Sequence, residues 1–170
     1  GVVNKKQVLE FCKRLNQARL GMALALPNGV RLDTLDAEVL QAMERVGFHS
    51  LAVGIESGSD RILKLIEKSL SRDLIAQKVR LIKKTTSMSV TGFFMLGYPT
   101  ETEEEILQSI RFAKELPLDH VTFTCCMPLP GSALWEEYRA RRGEAIPWED
   151  FFFYRAVAVS YTHLTLPTTQ

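Results

Sequence analysis

The sequence is poor in the features that announce several common protein classes. It has three cysteines, Cys12, Cys125 and Cys126, an odd number without the spacing of a disulfide framework, which points to a reducing compartment. Its three histidines, His49, His120 and His163, have no second histidine or paired cysteine at ligand spacing, which argues against a zinc site. No stretch of about 18 apolar residues is present to span a bilayer, and there is no signal-peptide pattern. Charge of one sign is also lacking: 21 basic residues face 20 acidic ones for a net charge of +1. The overall field therefore offers nothing to nucleic acid or to an anionic membrane, and a small ligand in a cytoplasmic protein is the better expectation. A G-x-S-x-G elbow, a Walker loop and a G-x-G-x-x-G run are all absent.

What is present is a repeated switch of hydrophobic period between helix and strand. The 170 residues suffice for one domain with its own core. Val8, Phe11, Cys12 and Leu15 form a helical stripe after the capping residue Asn4. Residues 20–26 alternate large Met22, Leu24 and Leu26 with small Gly21, Ala23 and Ala25, which predicts a strand broken by Pro27-Asn28-Gly29, its small side toward a crowded interior. Val39, Leu40, Met43 and Val46 mark a second helix closed by Gly47. A strand at 50–55, helices at 60–67 and 73–84, a strand at 89–95, a helix opened by Thr102 and Glu105 in capping-box spacing, and a strand at 119–126 follow.

Four strands separated by helices imply βαβ units and a parallel α/β sheet, either open and doubly wound or part of a barrel. A last helix at 132–142, closed by Gly143, leads into an aromatic extension at 144–160 carrying Trp148, Phe151, Phe152, Phe153 and Tyr154. Residues 161–170, uncharged and rich in threonine, read as a frayed or foreign tail. The start at Gly1-Val2-Val3-Asn4, with hardly any lead into the first helix, reads as lacking an upstream part.

Two strand ends carry the chemistry. The first is Gly54-Ile55-Glu56-Ser57-Gly58-Ser59-Asp60, the second Gly92-Phe93-Phe94-Met95-Leu96-Gly97-Tyr98-Pro99-Thr100-Glu101. Ligands of α/β proteins gather where strands give way to helix N-termini. Glu56 at a buried strand end needs hydrogen-bond donors, which ribose hydroxyls would supply; a purely structural carboxylate is the competing reading. Gly54 and Gly58 leave the backbone open, and Ser57 or Ser59 can cap the next helix. Lys68 can reach a ligand carboxylate or simply end its helix in water. Gly92 within a strand marks a close approach to the backbone, by a ligand or at a bend, and Gly97 with Pro99 fixes a turn. Met127-Pro128-Leu129-Pro130-Gly131-Ser132 ends the fourth strand in the same manner.

As a set, these runs, with Ile62-Leu63 and Lys68 after the first and Pro128-Leu129-Pro130-Gly131 after the last, resemble the radical S-adenosylmethionine superfamily. The resemblance covers residues from about 4 to 143 and is closest to the branch whose members often carry a cobalamin-binding domain. It implies that residues 1–143 form about four βα units, the C-terminal part of a partial (β/α)6 TIM-like barrel. It also implies a four-iron four-sulfur cluster that reduces S-adenosylmethionine, a deoxyadenosyl radical for hydrogen abstraction or methyl transfer, and cobalamin as a possible further cofactor of the full-length protein. Glu56 would meet the ribose and Lys68 the methionine carboxylate, while Gly54, Ser57, the backbone at Gly92, Phe94 and Gly97, and Met127 would flank the remainder. Flavodoxin or ferredoxin would supply electrons to act on an unidentified small substrate. The cysteine loop C-x-x-x-C-x-x-C of that family does not occur here, so the chain alone is expected to be inactive. A non-catalytic nucleotide-binding or interaction module stays open, as does a hydrolase or aldolase-type half barrel, which would need a polar pair at two strand ends.

Overall fold

The alternation of periods resolves into α1 (Lys5–Ala18), β1 (Leu24–Val30), a 3-10 turn (Leu32–Thr34), α2 (Ala37–Arg45), β2 (Phe48–Glu56), α3 (Asp60–Leu65), α4 (Arg72–Thr85), β3 (Ser89–Leu96), α5 (Glu103–Glu115), β4 (His120–Cys125) and α6 (Ala133–Arg142). This is a computed structural model, and it describes residues 4–142. Closure of the last helix by Gly143, the aromatic extension and the threonine-rich tail lie outside the described residues.

The helices begin where side chains can satisfy their first amides. Asn4, Asp36, Ser59, Ser71 and Thr102 each accept from an amide of the following turn, and Asn4–Gln7 and Thr102–Glu105 close reciprocal boxes. The four strands pair in the order β1-β2-β3-β4, every pair parallel. Right-handed crossovers between strands in sequential order put every connecting helix on the same face, whereas a doubly wound sheet reverses its order midway. The strand order therefore settles the choice left by periodicity in favour of a barrel-type sheet. In agreement, α1 packs on α2 and α2 on α4.

Leu51, Val53 and Ile55 of β2, with Val90 and Phe94 of β3, point into this helical layer and meet Val39, Leu40, Met43, Ile75, Val79 and Ile82 in one core. Alternation then sends Ser50, Gly54, Glu56, Thr91, Phe93, Met95, Thr122 and Thr124 to the opposite, open face.

β1 departs from the sequence expectation. It runs through Pro27, Asn28 and Gly29, and its pairing slips between Leu26 and Val30. Proline donates no amide, and an edge strand with a slipped ladder tolerates that. The large Leu24 and Leu26 pack against the core, while the small Ala25 pairs with Ser50 on the open face of the sheet. Between the β1 edge and α1 runs an apolar groove of about 490 Å³, lined among others by Val8, Phe11, Leu26, Val30 and Met43.

Candidate functional site

The end of β2 is bent so that one acid is turned inward over bare backbone. Gly54 pairs with Phe93 but Glu56 with Phe94, so Ile55 is an extra residue in the ladder. The Ser57 amide then donates to the Ile55 carbonyl at 3.0 Å. Glu56 takes a left-handed backbone, φ 72°, which costs a residue with a side chain about 1–2 kcal/mol. Bulges of this kind re-aim side chains. The result is that the Glu56 carboxylate lies over Gly54, where a Cβ would come within 2.6 Å of Oε1.

Lys68 arrives at the same place by a different device. At the end of α3 the Glu67 amide donates to the Lys64 carbonyl and the Lys68 amide to the Leu63 carbonyl, a Schellman closure with Glu67 at φ 54°. Lys68 Nζ then donates to Glu56 Oε1 at 3.1 Å, and each side chain is 24% exposed. Gly29 of β1 faces the same place, where a Cβ would lie 3.3 Å from the Gly54 amide nitrogen and 3.6 Å from the Phe93 ring. The structure thus brings Gly54, Glu56 and Lys68 together on the open face, at the carboxyl ends of the strands.

The side chains of Ser57 and Phe94, and the glycines Gly58 and Gly92, are packed inside the protein. Ser57 is fully buried, and its hydroxyl bonds Ser109 Oγ at 3.2 Å and accepts from the Ser59 amide at 3.1 Å. Gly58 does not lie open to a ligand: the α5 backbone fills that space, with the Gln108 carbonyl and Ser109 Cα both 2.7 Å from where a Cβ would be. Gly92 makes room for Leu118 and Ile55, whose methyls would lie 2.7 and 2.9 Å from its Cβ, so the close approach there is internal packing. The Phe94 side chain is 1% exposed against Phe123 in the core, which leaves only its backbone near the cleft. Gly97 takes φ 82° in the turn after β3, and Met127 is half-buried just beyond β4.

Glu101, Tyr98 and Cys126 carry weight at these strand ends that the sequence alone does not assign to them individually. Glu101 Oε2 accepts from the Gly97 and Tyr98 amides at 2.6 and 3.1 Å and so shapes the turn after β3. Burial pushes its carboxyl above the usual range against the pull of those amides. Tyr98 is pushed upward too, first by burial and then by its acidic neighbours Glu56 and Glu101. Burial drives the Cys126 thiol up to about 12, with Glu101 and Cys125 adding to it. Ionisable groups at the ends of β2, β3 and β4 thus influence one another.

Arg61 and Glu105 weld the ends of β2 and β3 together. Glu105, 9% exposed, accepts from Arg61 Nε at 2.7 Å and Nη2 at 2.5 Å, from Ser59 Oγ at 2.8 Å, and from the Thr102 amide and hydroxyl at 3.0 Å each. Arg61 beside it holds the Glu105 carboxyl down to about 2, helped by Thr102 and Ser59. Capping-box spacing marks Glu105 in sequence, but nothing local marks Arg61.

No group of three His, Cys, Asp or Glu side chains able to hold a metal occurs among the described residues. Cys12 and Cys126 are buried free thiols and Cys125 is a half-buried one.

A family model described as the Radical SAM superfamily matches residues 4–113. The chain is 36% identical over 134 residues to an uncharacterized methyltransferase of Pyrococcus horikoshii, covering 79% of this chain and 28% of that protein. It is 31% identical over 140 residues to the cytidylyl-2-hydroxyethylphosphonate methyltransferase of Streptomyces wedmorensis, covering 78% of this chain and 26% of that one. Among solved structures, the radical S-adenosylmethionine methyltransferase TsrM of Kitasatospora setae, with cobalamin and a [4Fe-4S] cluster bound, shares the fold at a TM-score of 0.66. Identity there is 16%, over 81% of this chain and 27% of TsrM. The chain thus spans under a third of the length of these relatives.

Proposed function

This chain belongs to the Radical SAM superfamily, and on that premise we propose that it forms the S-adenosylmethionine-binding wall of an enzyme that abstracts hydrogen from, or transfers a methyl group to, a small substrate. The carrying observation is the Glu56–Lys68 pair over the Gly54 backbone on the open face. Its donor set fits the ligand: a carboxylate accepts from ribose hydroxyls, and an ammonium takes a carboxylate. What S-adenosylmethionine supplies in this family is a deoxyadenosyl radical or a methyl group, and protein groups bind and orient it.

The described residues do not fit an iron–sulfur cluster, because they hold no set of thiolates. We assign those cysteines to polypeptide outside this chain. Support comes from the β1 edge and its groove. A crossover helix such as α1 feeds β1 from a parallel strand lying on the far side from β2. The apolar lining between α1 and the β1 edge suits such a strand. A cobalamin domain and a flavodoxin or ferredoxin donor belong to the same reading of the full-length protein.

The test is equilibrium binding of S-adenosylmethionine to the full-length protein with its cluster oxidised. Glu56→Ala and Lys68→Ala are each expected to weaken binding at least about tenfold, the equivalent of about 1.4 kcal/mol. Unchanged affinity in both variants, with circular dichroism unaltered, rejects the assignment.

A further inference from the structure

The two residues assigned to the ligand are at present bound to each other. Lys68 Nζ to Glu56 Oε1 is a single hydrogen bond, and among the described residues neither side chain has a second partner. Glu105, by contrast, is buried under five donor contacts. The Glu56–Lys68 pair is also mounted on two left-handed residues that are not glycine, Glu56 and Glu67. A structure that pays this conformational cost for one partly exposed hydrogen bond is holding the pair in place for something other than stability.

Resting on the reading of the site given above, we propose that the Glu56–Lys68 pair is an exchange latch that selects the intact ligand over its two halves. Opening the pair leaves two partly desolvated charges, each needing a new partner. S-adenosylmethionine brings both at once, hydroxyls for Glu56 and a carboxylate for Lys68. 5′-Deoxyadenosine carries the hydroxyls without the carboxylate. Methionine carries the carboxylate without the ribose. Each half must compete with closure of the pair and strands one charge when it wins. The halves therefore bind weakly, and the pair re-forms behind them as they leave.

The experiment measures binding of S-adenosylmethionine, 5′-deoxyadenosine and methionine to the full-length protein with its cluster oxidised, so that no turnover occurs. Lys68→Met is expected to weaken S-adenosylmethionine about tenfold while tightening 5′-deoxyadenosine about three- to tenfold, because Glu56 is freed from its competitor. Glu56→Gln is expected to do the mirror image, tightening methionine by a similar factor. Lys68→Arg, which keeps the charge pair, retains the wild-type order of the three ligands and controls for folding, together with unchanged circular dichroism. If 5′-deoxyadenosine binds Lys68→Met no more tightly than wild type, the latch is overturned while a loss of S-adenosylmethionine affinity still upholds the site. If neither variant moves S-adenosylmethionine, the site assignment itself falls.

Discussion

Two β–α corners of this molecule look interchangeable as sequence, each a glycine, a small polar cap and a glutamate, yet they dispose of their acids in opposite ways. At the β2 corner Glu56 has one partner and a quarter of its side chain exposed. At the β3 corner Glu105 is buried and fully engaged, and Glu101 pins the turn before it. The second corner also grips the first, because Ser59 and Arg61 of the β2 corner are themselves donors to Glu105. A rigid corner thus carries an exchangeable one. Preorganisation of this kind lets a site reopen its own hydrogen bonds without losing its place in the fold.

The largest test of that division sets Gly58 against Gly54. Gly58→Ala drives a methyl into the α5 backbone, which cannot yield as a side chain can, and separates the two corners. A loss of about 3 kcal/mol in urea unfolding is expected. Gly54→Ala meets only the tips of Glu56 and Lys68, both able to swing away. Its expected cost is below about 1 kcal/mol, with the damage appearing in ligand binding instead. Equal losses in the two variants would erase the distinction between the corners.

A second test uses pH. Glu105 is held down to about 2 in the folded chain, against a usual value near 4.5. Its depressed value means that the stabilisation is fully present above about 4.5 and is lost as pH falls through about 2. Arg61 is half exposed, so screening reduces the contribution to about 1–2 kcal/mol. Glu101 runs the other way: burial raises its carboxyl, so its ionisation costs stability above the unfolded value, and that cost is relieved as pH falls through the raised one. Chemical denaturation from pH 6 down to about 2.5 should show a slope that Glu105→Gln flattens and Glu101→Gln steepens. A profile unmoved by Glu105→Gln would show that the rigid corner is not held by this charge.

How much of this was legible beforehand follows from how local each cause is. Caps at Asn4, Ser59, Ser71 and Thr102 were readable because a cap is decided within four residues. The resemblance assigns Glu56 and Lys68 to one ligand, but their bond to each other depends on a bulge at Ile55 that no propensity encodes. The sequence reads Gly58 as open backbone and Gly92 as a close approach by a ligand or at a bend, whereas packed neighbours fill the space at both. Their neighbours, Ser109 of α5 and Leu118 before β4, come from far along the chain. The inward turn of the Ser57 and Phe94 side chains is likewise illegible locally, because which face a side chain takes at a strand end is set by register. The limits of β1 escape the sequence because Pro27 and Gly29 ordinarily break strands, and only an edge position with a slipped ladder admits them.

The smallest effect separates strain that serves the site from strain that merely builds it. Glu67 and Glu56 are both left-handed, but Glu67 is exposed and contributes only its backbone to the closure that delivers Lys68. Glycine adopts that conformation without the Cβ penalty and is the common residue at this point of a Schellman closure. Glu67→Gly should therefore stabilise the protein by about 0.5–1 kcal/mol, a rise of a few degrees in Tm, with ligand affinity unchanged. At Glu56 the same substitution relieves the same backbone but deletes the carboxylate that the strain holds over Gly54. Stability should hold or rise while binding collapses. If Glu67→Gly instead lowers affinity along with Glu56→Gly, the left-handed turn at the end of α3 is itself part of the exchangeable corner, and the boundary between the two corners must be redrawn to include it.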